Sequence, residues 1–431
     1  MKKKKEVYVG LAADILHEGH INILKIANTY GNVTVGLLTD EAISTYKNIP
    51  YMSYKQRKSV IKNIKFVKKV IPQLTLDYVP NLEMVKPNYV VHGDDWKKGL
   101  QSKTRKRVIK VLKKWSGKLI EPKYTKNISS SLIKTKIKDL VSSPHNRLSR
   151  LNRLMKAKKI VRFLESHNAL TGLIVENTKI YKNNVYQEFD GMWSSSLTDS
   201  LSRGKPDNQS VDYSTRLNGV NEILDVTTKP MIFDGDNGGR NEHLPYLVKT
   251  LERLGVSAIA LEDKKGLKQN SLFTNQKKAQ QDNINNFCKK LKIAKKSKVS
   301  DDFIIIARIE SFILGKGIDD AIKRAVSYSK AGADAILIHS KEGTPKEIFA
   351  FSKKFSKSKY FKPLVAVPST YSKTYENDLI KNGFKIVIYA NHLMRSAYPS
   401  MKLAAKKILE NQRSFELEKK ISPIKEIISL L

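Results

Sequence analysis

Residues 230–239 read PMIFDGDNGG, a short apolar run that ends in two acidic residues, Asp234 and Asp236. The same pattern recurs through the second half of the chain, where short apolar runs end in polar residues and are followed by helical stretches. The runs are 161–164, 191–193, 231–233, 258–261, 303–307, 335–338, 364–367 and 386–389. Eight strand–helix repeats are what a (β/α)8 TIM barrel requires, so the sequence predicts that fold here.

Chemistry-bearing residues stand where these predicted strands end, which is where barrel enzymes build their active sites. Asp234, Asp236 and Glu262 follow neighbouring strands, and carboxylate oxygens favour Mg²⁺, with Mn²⁺ as an expected substitute. Alternatively, each acid caps a helix or pairs with lysine, but three acids at adjacent strand ends favour a metal. Arg308 and His339 end two further strands and predict an anion pocket for a small phosphorylated or carboxylated keto acid.

The first part of the chain alternates apolar strands with helical patterns, which predicts a doubly wound, Rossmann-like parallel sheet. The predicted strands and first helix are 7–10, 33–38, 69–71, 89–93 and the helical 21–27. Because domains commonly span ~100–200 residues, a chain of 431 residues predicts two. We place them at 1–137 and 151–431, with a loose, basic linker at 138–150.

Composition narrows the function classes. The net charge of +38 comes mostly from lysines that are spread along the chain and not interleaved with aromatics, which disfavours specific nucleic-acid binding and favours small anions. A single cysteine, Cys288, excludes an internal disulfide and fits a reducing compartment. No run approaches the ~18 apolar residues of a membrane span, and no export signal follows the basic start, so a cytoplasmic protein is expected.

Five segments of the predicted barrel resemble the phosphoenolpyruvate mutase branch of the isocitrate lyase superfamily. They are WSSSL at 193–197, DGDNG at 234–238, EDKKGLKQNS at 262–271, ARIE at 307–310 and IHS at 338–340. The resemblance covers about 150–431, with Asp207 fourteen residues after Trp193. It implies conversion of phosphoenolpyruvate to phosphonopyruvate, which forms a carbon–phosphorus bond, with Mg²⁺ bound.

The resemblance also implies residue roles. Asp234, Asp236 and Glu262 would hold Mg²⁺ directly or through water, near Asp207. The substrate would contact Trp193, Ser195, Ser196, Leu197, Ser271 and Glu310, its anionic groups would meet Arg308 and His339, and Lys268 and Asn270 would lie on a gating loop. Ser196 departs from the glycine common in the family. The loop lacks the cysteine that lyase relatives need, and Asn270 favours a mutase over a phosphonopyruvate hydrolase, which remains the alternative.

A second resemblance lies at the N-terminus. His17-Glu18-Gly19-His20 opens the first helix, where backbone amides and the helix dipole favour a triphosphate. Together with HGDDW at 92–96 and ISSS at 128–131, this segment resembles the HxGH cytidylyltransferase-like family over about 6–137. The family implies attack by a phosphate or phosphonate oxygen on the α-phosphorus of a nucleoside triphosphate, with CTP expected.

In this family His17 and His20 would stabilise charge on the phosphates. The other implied nucleotide-binding residues are Gly10, Leu11, Gly19, Asp94, Ser129 and Ser130. Two departures, LAAD at 11–14 and Lys134 in place of a frequent arginine, leave base preference open.

A fusion of the two families resembles bifunctional enzymes of phosphonate biosynthesis. It implies a phosphonate acceptor, either 2-hydroxyethylphosphonate or 2-aminoethylphosphonate, and a downstream phosphonopyruvate decarboxylase, because phosphonopyruvate formation is uphill. It further implies a homo-oligomer, dimer or tetramer, through the barrel. Outside enzymes, the remaining alternative is a basic binding protein with vestigial sites.

Overall fold

The computed structural model describes residues 4–46, 49–97, 101–123, 143–182, 185–266, 268–269, 271 and 280–430. The chain divides into two compact units, one built mainly from residues up to 141 and the other mainly from residues after 142. Each unit is described by itself.

Among the described residues of the first unit, five parallel strands form one sheet in the order β3-β2-β1-β4-β5. The strands are β1 (Glu6–Leu11), β2 (Asn32–Leu38), β3 (Lys69–Gln73), β4 (Tyr89–Val91) and β5 (Lys118–Ile120). The strand order reverses between β1 and β4, and the carboxyl ends of such neighbouring strands leave a crevice for ligands. The predicted doubly wound sheet is confirmed.

Helices cover both faces of this sheet. They are α1 (Glu18–Tyr30), α2 (Asp40–Ser44), α3 (Tyr54–Lys62), α4 (Val79–Val85) and α5 (Ser102–Leu112), with 3-10 turns at Asp94–Lys97 and Lys113–Trp115. Alternate residues of β1 serve the two faces: Val7 and Val9 pack with Leu24 of α1, whereas Tyr8 packs in a cluster with Trp96. The sheet is therefore buried on both sides, as its continuous apolar strands require.

The second unit contains a closed parallel barrel, and its strands are the eight runs predicted from sequence. They are β6 (Val161–Glu165), β9 (Gly191–Ser194), β10 (Met231–Asp234), β11 (Ala258–Glu262), β14 (Ile304–Ile309), β15 (Ala335–Ile338), β16 (Leu364–Ala366) and β17 (Phe384–Tyr389). The barrel closes where β17 pairs with β6, with Ile386 opposite Val161. A short hairpin of β12 (Lys264–Lys265) with β13 (Gln280–Gln281) is additional, whereas a second hairpin, β7 (Lys179–Lys182) with β8 (Val185–Glu188), belongs mostly to the first unit.

Helices accompany the barrel strands. They are α6 (Pro144–Ala157), α7 (Ala169–Asn177), α8 (Ser196–Ser202), α9 (Tyr213–Val226), α10 (Leu244–Leu254), α11 (Ile284–Ser297), α12 (Gly317–Lys330), α13 (Lys346–Phe355), α14 (Glu376–Lys381), α15 (His392–Asn411), α16 (Phe415–Glu418) and α17 (Ile424–Ile428). Most bury an apolar stripe, such as Leu247, Val248 and Leu251 of α10. By contrast α15, all of which the structure describes, buries none of its residues.

Helix α6 begins inside the segment that the sequence predicted to be a linker. It buries Leu148, Leu151 and Leu154, and the Arg147 guanidinium donates to the carbonyl oxygens of Leu224 (3.0 Å) and Thr227 (2.5 Å). The sequence prediction missed this helix because arginines lie between its leucines, and the high charge of the segment was taken as the sign of a linker. No helix in the described ranges is long and apolar enough to cross a membrane.

Candidate active sites

The carboxyl ends of the barrel strands bring most of the predicted residues around one cavity of about 60 Å³. The site residues predicted from the sequence that line this cavity are Trp193, Ser195, Leu197, Asp207, Asp234, Lys268, Ser271, Arg308 and His339. Five lining residues were not predicted: Leu337, Val367, Ser369, Ala390 and Asn391. Asn270 lies outside the described residues. The cavity is small, combines charged with apolar lining residues, and lies where barrel enzymes bind substrate.

Lys268 lies among the carboxylates on one side of this cavity. Its Nζ is 3.0 Å from Asp207 Oδ1 and 3.8 Å from Asp234 Oδ2, and it also contacts Asp236 Oδ1. Burial by itself would raise the pKa of Asp234, but Lys268 and Arg308 outweigh it and lower that pKa to about 2. The Asp234 carboxylate is therefore ionised at neutral pH and attracts the Lys268 ammonium.

Ser196, the departure from the family pattern, takes part in the same cluster. Its hydroxyl donates to Asp234 Oδ2 at 2.9 Å and accepts from Lys268 Nζ. A glycine here would leave one fewer donor for the buried Asp234 carboxylate, so the hydroxyl adds a fixed hydrogen bond to this side of the cavity.

Arg216 of α9 lies beneath the acidic loop, and no sequence motif identified it. Its Nη1 donates to the Asp234 carbonyl at 2.6 Å and lies 3.6 Å from Asp236 Oδ2, while Nε donates to Asp199 at 3.1 Å. Asp236 itself has a left-handed backbone (φ 48°), a conformation that costs energy outside glycine and clusters at functional sites. Arg216 therefore holds a strained, acid-bearing turn in place.

Glu262 is the third carboxylate predicted to bind metal. Both of its carboxyl oxygens are buried, and neither has a hydrogen-bond partner among the described residues; the nearest cation, Arg308 Nη2, is 3.4 Å away. Burial raises the pKa of Glu262 to about 7, although Arg308 opposes the rise. A buried carboxylate without a donor is a group that a hard divalent cation would satisfy. The donor set thus fits Mg²⁺.

The described side chains include no group of three or more His, Cys, Asp or Glu already arranged to hold a metal ion. The Lys268 ammonium lies next to Asp234 and Asp236, the carboxylates to which the predicted metal would bind. The magnesium site therefore remains a prediction.

Arg308, Glu310 and His339 form a second cluster, of which Arg308 and His339 line the cavity. Arg308 Nε donates to Glu310 Oε1 at 2.6 Å, and His339 Nδ1 lies 3.0 Å from both Glu310 Oε1 and Arg308 Nη2. Burial and the Arg308 charge lower the pKa of His339, so its imidazole is neutral at pH 7. Glu310 fixes the orientation of both groups, which leaves an oriented guanidinium and a neutral imidazole beside the cavity.

Asp263, which the sequence analysis did not predict as a site residue, holds the backbone of Glu310. One carboxyl oxygen accepts from the Glu310 backbone N–H at 3.0 Å; the other accepts from Arg324 at 3.1 Å and from the Tyr328 hydroxyl at 2.8 Å. Because Arg324 and Tyr328 belong to α12, this buried cluster ties the ends of β11 and β14 to a helix.

The first unit has a separate cavity of about 660 Å³ at the carboxyl ends of its central strands. The predicted residues Gly10, Leu11, His17, Gly19 and His20 line it. Asp94 is not among the lining residues, whereas its neighbour Asp95, together with His92 and Tyr78, is. Ser129, Ser130 and Lys134 lie outside the described residues.

Two of the histidines that line this cavity, His17 and His92, have distinct surroundings. His17 is the N-cap of α1, its ring lies 4.0 Å from the His20 ring, and its buried Nδ1 has no hydrogen-bond partner in the described structure. Burial lowers the pKa of His17. His92 stacks on Trp96 with centroids 3.8 Å apart and planes 6° from parallel. A histidine at a helix N-terminus can contact a triphosphate beside the helix amides.

The LAAD loop at 11–14 is held by a buried arginine. Arg57 donates to the carbonyl oxygens of Ala12 (2.6 Å) and Leu38 (2.8 Å), and Asp14 accepts from the Tyr51 N–H at 2.6 Å. The departure from the family pattern is therefore accommodated by an ordered loop.

Known families match both units. Residues 151–409 match the family model described as phosphoenolpyruvate phosphomutase. The chain belongs to that family. The phosphoenolpyruvate phosphomutase of Tetrahymena pyriformis is 34% identical over 300 residues, covering 69% of this chain and 95% of the relative. The phosphonopyruvate hydrolase of a Variovorax strain is 35% identical over 269 residues, covering 62% and 91%.

A solved structure supports the same family for the barrel, and a second family matches the N-terminal residues. The phosphoenolpyruvate phosphomutase structure from Streptomyces platensis subsp. rosaceus matches with a TM-score of 0.61 at 31% identity, covering 66% of this chain and 94% of that one. Residues 8–136 match the cytidylyltransferase-like family model. The ethanolamine-phosphate cytidylyltransferase of Arabidopsis thaliana is 32% identical over 100 residues, which covers 22% of this chain and 24% of that protein. Both predicted resemblances are confirmed.

Proposed function

We propose that the barrel converts phosphoenolpyruvate to 3-phosphonopyruvate, with Mg²⁺ held by Asp234, Asp236 and Glu262. The observation that carries this proposal is one cavity that is lined both by carboxylates, those of Asp207 and Asp234, and by the Arg308–His339 pair. A substrate that carries both a carboxylate and a phosphoryl group can be held by cationic side chains and by a metal bound to carboxylates, and residues of both kinds line this cavity.

The reaction is an isomerisation in which the phosphorus–oxygen bond of the enol phosphate breaks and a phosphorus–carbon bond forms at the methylene carbon. Bound Mg²⁺ would supply positive charge to the substrate oxygens. Arg308 and His339 would hold the anionic oxygens, and the reaction requires that water, which would otherwise capture a loosely bound phosphoryl group, be kept out. Phosphoryl transfer then depends on positioning and electrostatics more than on an acid or base.

The competing activity is hydrolysis of phosphonopyruvate, since a hydrolase is among the similar proteins. Incubating purified protein with Mg²⁺ and phosphonopyruvate, followed by phosphorus NMR, separates the two. A mutase gives phosphoenolpyruvate, the downhill direction, whereas a hydrolase gives inorganic phosphate and pyruvate. Excess chelator should stop the reaction and Mn²⁺ should partly restore it.

We further propose that the first unit transfers a cytidylyl group from CTP to a phosphonate. The His17–His20 pair in the 660 Å³ cavity supports this, and either 2-hydroxyethylphosphonate or 2-aminoethylphosphonate is the expected acceptor. Each acceptor should be tested with each nucleoside triphosphate for pyrophosphate release. His20→Ala should abolish that release and leave the mutase rate intact; equal loss of both activities in a folded variant would contradict independent sites.

Two expectations accompany these activities. A phosphonopyruvate decarboxylase would consume the mutase product, because the mutase equilibrium alone favours phosphoenolpyruvate. Alternatively, a basic binding protein with vestigial sites would show strongly salt-dependent nucleic-acid binding and no turnover of any substrate above.

A further inference from the structure

Lys268 lies in the part of the barrel cavity that the proposed function assigns to Mg²⁺. Its ammonium is within 4 Å of three carboxylates, those of Asp207, Asp234 and Asp236. Its side chain is only 5% exposed, so water does little to screen these pairs. An ammonium and a divalent ion placed among the same oxygens repel each other and compete for the same lone pairs.

We infer that Lys268 is an internal cation that competes with the divalent metal for Asp234 and Asp236 and thereby sets the metal affinity of the barrel. The inference rests on the proposed magnesium site and adds a property that the mutase reaction does not itself require. Lys268 then has two roles, one toward the metal and one toward the anionic substrate.

Asp234 and Asp236 can release Lys268 because each of these two carboxylates keeps another partner. Asp234 Oδ2 accepts from the Ser196 hydroxyl at 2.9 Å, and Asp236 Oδ2 lies 3.6 Å from Arg216 Nη1. Arg216 is buried and donates to the Asp234 carbonyl, so it stays in place when Lys268 moves. Metal entry thus replaces one cation of the cluster and leaves its hydrogen-bonded frame unchanged.

A second lysine of the same loop has a different environment, which sets Lys268 apart. Lys264 Nζ donates to Ser271 Oγ (2.6 Å) and to the Gln269 carbonyl (2.9 Å), and lies 3.2 Å from Glu310. It therefore belongs to the Arg308–Glu310 side. Between these two lysines, only Lys268 shares carboxylates with the proposed metal.

The competition has a consequence for substrate. An anionic substrate gives the displaced ammonium new oxygens to contact, so metal and substrate should bind with positive coupling. Without the Lys268 ammonium, the metal has no competitor for substrate to bind. The positive coupling between metal binding and substrate binding should therefore fall.

The test is Mn²⁺ binding to the full-length protein without substrate, measured by electron paramagnetic resonance. Lys268→Met should tighten Mn²⁺ binding at least tenfold, whereas Lys268→Arg, which keeps the charge, should stay within about threefold of wild type. Lys290→Met is the matched control, because Lys290 donates to the nearby Asn237 and Gly239 carbonyls and to neither carboxylate. It should change the affinity less than twofold.

Asp236→Asn locates the metal, and it should abolish tight Mn²⁺ binding. If it does not, the proposed magnesium site is wrong, and the inference falls with it. If Asp236→Asn does abolish binding but Lys268→Met binds Mn²⁺ no more tightly than wild type, the magnesium site stands and the competition is refuted. Lys268→Gln gives a second neutral variant should Lys268→Met fail to fold.

Discussion

At the scale of single residues, Asn391 lines the barrel cavity but belongs to none of the sequence motifs. It follows β17, its side chain is 6% exposed, and its amide oxygen is buried without a hydrogen-bond partner in the described structure. An amide can turn to present its N–H₂ group instead, so Asn391 can donate to an anionic substrate oxygen.

We expect Asn391→Ala to raise KM for phosphoenolpyruvate about tenfold with a smaller change in kcat, since a hydrogen bond to a charged group contributes about 1.5–3 kcal/mol. Steady-state kinetics measures this. Asn382→Ala, which alters an asparagine at the end of α14 outside the cavity lining, is the control. An unchanged KM in Asn391→Ala would show that the side chain does not contact substrate.

His92 predicts a pH dependence in the first unit. Burial lowers the pKa of His92 below its ordinary value, so the unfolded chain takes up a proton at a higher pH than the folded chain does. Stability is therefore lost as pH falls below the unfolded pKa of about 6.5. His92→Phe keeps a ring against Trp96 but does not titrate, so its Tm should fall less between pH 7.5 and 5.5. An equal fall in both proteins would contradict this assignment.

At the same scale, sequence reasoning found residues that lie directly after apolar strands and missed those that act from elsewhere. Asp234, Glu262 and His339 were predicted because each ends a strand. Arg216 and Arg324 lie on helices, where a charged residue ordinarily faces solvent, and only the folded barrel shows that they reach buried carboxylates.

At the scale of elements, the Asp263 cluster joins α12 to the ends of two barrel strands. Removing one partner of a buried ion pair leaves an uncompensated charge and costs about 3–5 kcal/mol. Arg324→Met should therefore lower the free energy of unfolding by about that amount, as measured by urea denaturation. Adding Asp263→Asn to it should cost less than the sum of the two single changes. Strict additivity would mean that the pair does not interact.

Element prediction succeeded where an apolar run was bounded on both sides by polar residues, which held for all eight barrel strands. It missed β5, whose residues are exposed or only partly buried, the β7–β8 hairpin, and the β12–β13 hairpin, whose Lys-Lys and Gln-Gln strands carry no periodic signal. Helix α6 was missed because four of its residues are arginine or lysine. Charge content is a poor indicator of a loop when leucines recur every three residues.

At the scale of the whole molecule, the homo-oligomer expected from the sequence stays a prediction, and α15 offers a surface on which to test it. Tyr398, Met401 and Leu409 of this helix are more than 60% exposed, and Phe415 and Ile424 beyond it are similarly exposed. A helix with an uncovered apolar surface favours burial against a second copy, and such surfaces mark interaction sites.

We expect light scattering to give a dimer or tetramer, and Met401→Glu combined with Leu409→Glu to lower its mass, because buried unpaired charges oppose association. Lys406→Glu, an exposed charge change on the same helix, should leave the mass unaltered. A wild-type monomer at micromolar concentration would rule the oligomer out.

The seam at which β17 pairs with β6 joins residues more than 200 positions apart, with Tyr389 opposite Leu164. During synthesis the ribosome releases β6 long before β17 exists, so the nascent barrel is an open sheet with two unpaired edges. Such edges invite association with other chains, and contacts this distant in sequence form slowly. Translation that stalls before residue 384 would leave a sticky, unfinished sheet, whereas the first unit, whose last described strand ends at Ile120, can complete its own pairing much earlier.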